Sequence, residues 1–189
     1  VEKNTSSPDK NVWTPTIIAN YQPFTREDFN IRAFYKRIFR MPTFNDLYYT
    51  NVGFSNLKPE YSSQYNLGFS YKKLLDGFFK SFSIDADAYY NEITDKIVAA
   101  PSGSLFRFTM LNLAKTKMKG VDIKVRSSFQ LGEIHFSPSA NYSFLEAQDV
   151  SNPSDTFYKN QIPYTPKNSG SFVMSAKYRT WNFNYSFIY

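Results

Sequence analysis

Apolar and polar residues alternate along most of this chain, and the alternation is clearest at residues 28–40. The odd positions of DFNIRAFYKRIFR are mostly apolar, from Phe29 to Phe39, whereas the even positions are mostly charged or polar. Because successive side chains of a β-strand point to opposite faces, this segment is predicted to be a strand with one apolar and one polar face. A weaker strand is predicted at 14–21. The same alternation predicts strands at 60–73, 81–91, 120–130, 134–145, 171–179 and 181–189.

The predicted connections between strands alternate in length. The short ones lie at 22–27, 74–79, 131–133 and 179–180, and the long ones at 41–59, 92–118 and 147–168. Tight turns at one end and long loops at the other are typical of outer-membrane barrels, with the turns in the periplasm and the loops outside. Hydrocarbon offers no partners for backbone N–H and C=O groups, so a spanning sheet must close. The pattern therefore predicts an all-β fold, an antiparallel up-and-down meander that forms part of a transmembrane β-barrel.

Composition narrows the classes of protein. The 189-residue chain has no Cys and one His, which excludes disulfides, thiolate nucleophiles and Cys- or His-rich metal sites. No run approaches the roughly 18 apolar residues of a transmembrane helix. Aromatic residues make up 19% of the chain and recur at the ends of the apolar rows, for example at Trp181 and Tyr189. This placement matches the aromatic girdles at the two membrane interfaces of a barrel.

The most specific motif follows the strand at 28–40. Pro42 is expected to end that strand, residues 45–49 to form one helical turn, and Pro59 to mark the entry to the next strand. The motif resembles one in TonB-dependent outer-membrane receptors, which carry F-R-x-P-x-F-x-x-L-Y and then N-P-x-L-x-P-E. The matching residues are Phe39, Arg40, Pro42, Phe44, Leu47, Tyr48, Asn56, Leu57, Pro59 and Glu60.

Two weaker matches support this resemblance, which covers about residues 28–189. Asn112 followed by Gly120-Val121-Asp122 is similar to the family's N…G-[VI]-[DE] strand entry, and 162–166 is similar to [LI]-P-Y-x-P before a strand. One departure is visible, because Phe54-Ser55 stands where Asn-Pro often follows the glycine in the family.

The resemblance implies a role in transport. Such receptors are barrels of roughly 22 strands filled by a plug. They lie in the bacterial outer membrane and import a siderophore, cobalamin, haem or a glycan, driven by the TonB–ExbB–ExbD complex. Residues 1–189 are then expected to be a partial barrel domain of about eight strands, without the plug and the remaining strands. The expected partners are lipid and lipopolysaccharide, the plug, the TonB complex and the ligand.

Aromatic and basic residues in the predicted long loops are candidate ligand contacts. Rings of this kind stack on ligands, although they also pack loop against loop. The candidates are Phe106, Arg107, Phe108, Tyr158 and Tyr164.

No catalytic residue or cofactor is expected. His135 stands near serines on the polar face of its strand, but no nucleophile-elbow sequence accompanies it, so a polar wall residue is the preferred interpretation. Asp85 and Asp87 share a face, where solvated carboxylates facing the barrel interior are favoured over an acid–base pair or a cation site.

Two alternative functions and one excluded partner follow from the residues alone. A passive porin-type barrel gives the same alternation. A soluble β-sandwich that binds a ligand also alternates, but it buries its apolar face against a second sheet. The net charge of +6 does not favour nucleic acid, because the basic residues are spread over the polar faces and the loops. Lys115, Lys117 and Lys119 alternate at the end of segment 92–118, which is expected to be a solvated loop. Contact between that loop and an anionic ligand or lipopolysaccharide phosphates is a secondary hypothesis.

Overall fold

A computed structural model of the chain describes residues 11–24, 28–101, 107–156 and 158–189. These residues form eight strands and one short helix. The elements are β1 (Thr16–Tyr21), β2 (Asp28–Arg40), α1 (Phe44–Tyr48), β3 (Glu60–Leu74), β4 (Phe79–Pro101), β5 (Phe108–Leu131), β6 (Ile134–Asp149), β7 (Asn168–Tyr178) and β8 (Trp181–Ile188).

The strands form a single sheet in sequence order, and every neighbouring pair is antiparallel. This confirms the predicted up-and-down meander, and α1 confirms the predicted helical turn. Among the described residues, no helix has the length and hydrophobicity needed to cross a bilayer.

One predicted connection is wrong. Residues 92–101 and 108–118 do not belong to a solvated loop; they continue β4 and β5 as the two paired arms of a hairpin, with Ala99 opposite Met110. The backbone groups of this hairpin satisfy one another, so the strands extend far beyond the roughly 9–11 residues that cross a bilayer. Apolar and polar residues are not cleanly divided between the two faces of this extension, so alternation alone did not predict it. The other two long connections, 41–59 and 150–167, agree with the prediction.

The apolar face of the sheet is exposed, and the polar face carries the buried residues. Leu67 and Phe183 on the apolar face are 60% and 64% exposed. A β-sandwich would bury these side chains against a second sheet, whereas the described residues form a single layer. The buried strand residues all project from the opposite, polar face: Ser62, Gly68, Ile93, Ile97, Thr116, Gly120 and Ala147.

The apolar band crosses the strands obliquely. Phe29 is the last apolar-face residue of β2 towards the short turns, and its register row runs through Tyr71 to Phe187 on β8. On β8 the band continues six residues further, to Trp181. The edge of the band thus shifts by six residues along the strand direction, at ~3.3 Å each, over the six spacings between β2 and β8, at ~4.8 Å each. The band is therefore inclined by about 35° to the rows of paired residues. This value is close to the strand tilt of roughly 35–45° in outer-membrane barrels.

The small core lies at the end of the sheet that carries the long connections, which we call the long-loop end. Ser62, Ile93 and Thr116 form one row across β3, β4 and β5 on the polar face. Thr116 is fully buried, and Leu57 and Ile162 from the two long connections are buried as well. The long connections therefore fold over the polar face at this end instead of projecting freely.

Candidate functional site at the long-loop end

Arg40 joins the two parts of the family-like motif. Its guanidinium lies 3.0 Å from an Asp46 carboxylate oxygen and 3.4 Å from a Glu60 carboxylate oxygen. Arg40 ends β2 and Glu60 begins β3 directly opposite it. The arginine therefore closes the base of connection 41–59 and ties α1 to it.

A capping box starts α1. The Thr43 hydroxyl accepts a hydrogen bond from the Asp46 N–H at 3.2 Å, and the Asp46 carboxylate accepts one from the Thr43 N–H at 2.9 Å. Such reciprocal bonds satisfy backbone donors that a helix start leaves free. Burial acts to raise the pKa of Asp46, but the hydrogen bonds from Thr43 and the charge of Arg40 outweigh it and hold that pKa below its usual value.

A glycine lets connection 41–59 fold back on α1. The Gly53 N–H donates to the Tyr49 carbonyl at 2.7 Å, and a Cβ on Gly53 would lie 2.6 Å from the Tyr49 nitrogen. The next residue donates its N–H to the Asp46 carbonyl at 2.9 Å, and that residue is Phe54, where the family often has Asn. A backbone bond therefore holds the loop at the position where the sequence departs from the motif.

Glu60 and Asn112 anchor the connection to the extended hairpin. The Ile97 N–H donates to the Glu60 carboxylate at 3.1 Å. The Asn112 amide accepts from the Lys58 N–H at 2.8 Å and donates to the Lys58 and Asp95 carbonyls at 3.1 and 2.7 Å. Asn112, a weak match in sequence, thus joins three segments of the long-loop end.

The remaining motif residues support this connection or lie on its surface. Leu57 is buried, whereas the rings of Phe44 and Tyr48 pack together at 5.1 Å on the exposed side of α1. Pro42 and Pro59 flank the connection, with Leu47 half-buried and Asn56 exposed. The motif therefore has a structural role that the sequence alone did not specify.

The second long connection is fixed mainly by one glutamine. The Gln161 side chain accepts from the Ala147 N–H at 3.0 Å and donates to the carbonyls of Leu145 and Thr165 at 3.2 and 3.0 Å. The Ile162 N–H donates to the Ala147 carbonyl at 2.8 Å. These bonds hold the 162–166 motif as a turn against the end of β6.

The structure brings two of the predicted ligand contacts together. The rings of Phe108 and Tyr164 lie 6.3 Å apart, although Phe108 begins β5 and Tyr164 lies in the connection between β6 and β7. Tyr164 is 78% exposed and has a φ of 60°, a conformation that is costly for a bulky residue. Tyr158 instead lies under the Lys159 ammonium at 5.3 Å, and Arg107 is exposed. Phe106 lies outside the described residues.

On the polar face, the two aspartates bind different arginines. An Asp85 carboxylate oxygen lies 2.6 Å from the Arg126 guanidinium, and Asp87 pairs with Arg32, whose Nε is 3.1 Å from Asp87 Oδ1. They therefore act as ion-pair partners along the wall. Within the described ranges, no group of three or more His, Cys, Asp or Glu side chains is placed to hold a metal ion.

The single histidine lies near the opposite, short-turn end of the same polar face. His135 pairs in register with Gln130 and Lys177 and, together with Glu133 and Arg179, lines an open groove. The position agrees with the prediction of a polar wall residue.

A glycine on the polar face also explains a weak motif match. A Cβ on Gly120 would lie 2.4 Å from both the Phe144 carbonyl oxygen and the Tyr89 hydroxyl. The Tyr89 ring therefore lies across the wall where only glycine leaves space.

Comparison with known proteins gives a consistent family. The model of the TonB-dependent receptor-like β-barrel family matches residues 2–189. The chain is 36% identical over 104 residues to the vitamin B12 transporter BtuB of Vibrio vulnificus, covering 55% of the chain and 16% of that protein. It is 28% identical over 154 residues to BtuB of Photobacterium profundum, covering 80% of the chain and 23% of that protein. The chain thus spans less than a quarter of the length of these relatives.

Solved structures share the fold. The copper transporter OprC has a TM-score of 0.68 at 15% identity, over 92% of this chain and 25% of that one. The Serratia marcescens hemophore receptor HasR, solved with its hemophore HasA and heme, has a TM-score of 0.64 at 15% identity, over 93% of this chain and 33% of that one. By name, the proteins to which this chain is similar are vitamin B12 transporters, a copper transporter and a hemophore receptor.

Proposed function

The chain belongs to the TonB-dependent receptor family, and from this premise we propose that it forms part of the wall and outer loops of an active importer in the bacterial outer membrane. The family match over residues 2–189 carries this proposal. The exposed and oblique apolar band supports a position against lipid, because such a band is costly in water.

We propose that residues 1–189 contribute about eight strands to a larger barrel. The fraction of the curated relatives that the chain covers, 16–23%, supports this division. The plug, the remaining strands and the contact with the TonB complex then belong to the rest of the receptor. The long-loop end faces the outside, in agreement with the general placement of long loops in such barrels.

The ligand belongs to the siderophore, cobalamin, haem or glycan classes, and cobalamin is the first to test. Both curated relatives described above carry the name vitamin B12 transporter. Phe108 and Tyr164 are the preferred ligand contacts, because their rings meet at the long-loop end and Tyr164 combines exposure with a costly backbone conformation. Arg107 and Tyr158 are secondary contacts.

Uptake by the full-length receptor tests the proposal. Cells that depend on this receptor are given labelled cobalamin, a ferric siderophore or haem, with and without TonB and with a protonophore. We expect uptake of one ligand that disappears when TonB is removed or the proton gradient is dissipated. Uptake that persists in both conditions would instead support a passive channel, and no uptake of any scarce ligand would contradict import.

A further inference from the structure

The edge of β6 beside connection 150–167 is paired with a side-chain amide where a sheet would supply a strand. β7 pairs with β6 only as far as Phe144. Beyond that point the Gln161 side chain accepts from the Ala147 N–H at 3.0 Å and donates to the Leu145 carbonyl at 3.2 Å. A neighbouring strand would offer the same acceptor and donor from its backbone. The glutamine amide therefore replaces a peptide group of the missing strand pair.

The same amide closes the turn that contains Tyr164. Its nitrogen also donates to the Thr165 carbonyl at 3.0 Å, and the Thr165 hydroxyl donates to the Ile162 carbonyl. The Ile162 N–H donates in turn to the Ala147 carbonyl at 2.8 Å. The turn at 162–165 is thus held to the end of β6 on both sides of Tyr164.

These bonds explain how Tyr164 keeps a costly conformation. Its φ of 60° lies in the left-handed region, where Cβ comes close to the following carbonyl oxygen. A residue stays in this region only where its surroundings impose it. Burial does not impose it here, because Tyr164 is 78% exposed. The backbone and Gln161 bonds on either side of the residue do.

We propose that Gln161 is a positioning residue of the ligand site, whose amide holds Tyr164 in the left-handed conformation that presents its ring beside Phe108. The two rings, 6.3 Å apart, then meet an aromatic or planar face of the ligand. The inference rests on the proposed function, because it takes these rings as ligand contacts.

A fixed turn strengthens binding without adding a contact. A loop that is ordered before the ligand arrives loses little conformational freedom when the ligand binds. Gln161 bonds to the backbone of β6 and of its own turn, so it acts on the ligand through Tyr164. Its loss should therefore lower the fraction of receptors in which the Tyr164 ring is correctly placed.

Gln161→Met tests the positioning, because methionine has a similar length but makes none of these hydrogen bonds. The affinity of the full-length receptor in detergent is measured by calorimetry for cyanocobalamin, haem and ferric enterobactin. If about one molecule in ten keeps Tyr164 in place, the variant binds about tenfold more weakly. The matched control is Gln148→Met, because the Gln148 side chain lies on the other face of β6 and bonds to Glu146 at 2.6 Å. We expect its affinity to equal that of the wild type.

A double-mutant cycle separates positioning from stability. Tyr164→Ala removes the ring, so adding Gln161→Met to it is expected to cause no further loss of affinity. The melting temperature should fall on Gln161→Met in both backgrounds. An equal loss of affinity with and without the Tyr164 ring would show that Gln161 acts elsewhere and would overturn the proposal. Wild-type affinity in the single variant Gln161→Met would overturn it too.

Hydrogen exchange tests the arrangement without a ligand. In Gln161→Met the Ala147 amide is expected to exchange about tenfold faster or more, since it loses its acceptor. Unchanged protection of this amide would contradict the role of Gln161. A receptor that binds none of the three probes contradicts the ligand classes of the proposed function, whereas one that binds a probe equally well without the glutamine amide contradicts only the positioning.

Discussion

Leu67→Arg tests whether the exposed apolar face contacts hydrocarbon. Leu67 is 60% exposed, so if the face met water the change would cost no more than about 0.5 kcal/mol. Along β3, Leu67 shares the apolar face with Tyr61, six residues before it, and with Tyr71, four residues after it. At ~3.3 Å per residue and a tilt of about 35°, these rings lie roughly 16 and 11 Å away along the membrane normal. Leu67 is thus close to the middle of an apolar band about 25 Å tall, where arginine costs about 2–4 kcal/mol.

The matched control is Ser70→Arg on the polar face of the same strand. Ser70 stands opposite Asp85 in register, so an added arginine meets a carboxylate, and we expect a change within about 0.5 kcal/mol. The free energy of unfolding of the full-length receptor is measured by urea titration in lipid vesicles. If Leu67→Arg and Ser70→Arg changed the free energy of unfolding by the same amount, whether both small or both large, the assignment of the two faces would be refuted.

Four further changes test the loops and the wall. Thr43→Ala removes half of the α1 capping box and is expected to cost about 1 kcal/mol by urea titration. The pKa of Asp46 is lower in the folded state than in the unfolded state. The stability that this carboxylate contributes is therefore present above its unfolded pKa of about 3.9 and is lost as the pH falls through the lower folded value. We expect Asp46→Asn to abolish this pH dependence in acid titrations of the free energy of unfolding. Gly120→Ala is expected to cost about 1–3 kcal/mol, because the added methyl meets a backbone carbonyl. Tyr164→Gly should raise the melting temperature by relieving the positive φ but weaken ligand binding, and unchanged binding would remove Tyr164 from the site.

The sequence predicted the part of the fold that the bilayer dictates. Period-two alternation located β2 with the observed bounds, because every second residue there meets the same surroundings. It missed the extension of β4 and β5, where both faces leave the apolar band and backbone pairing alone keeps the strands regular. The buried row from Ser62 to Thr116 was also missed, since it forms on the polar face only when the long connections fold over it.

The candidate site was predictable in its parts but not in its assembly. The motif indicated the family, yet nothing in its spacing showed that Asn112 holds the Lys58 backbone from 54 residues away. Phe108 and Tyr164 were candidates as loop aromatics, but their meeting depends on the extension of β5 to Phe108 and on where the connection between β6 and β7 brings Tyr164. Long-range contacts of this kind arise from register and loop closure, which local residue patterns do not encode.

Spin labels on single cysteines introduced along β3 test the central claim most directly; residues 1–189 contain no Cys of their own, and any cysteine elsewhere in the receptor is first replaced by serine. Labels at Tyr65, Leu67 and Phe69, and at Gln64 and Ser70, are compared in the membrane-embedded receptor for collision with oxygen, which partitions into lipid, and with a water-soluble nickel complex. We predict that oxygen dominates at 65, 67 and 69 but not at 64 and 70. High nickel accessibility at the three odd positions would contradict a lipid-facing apolar row.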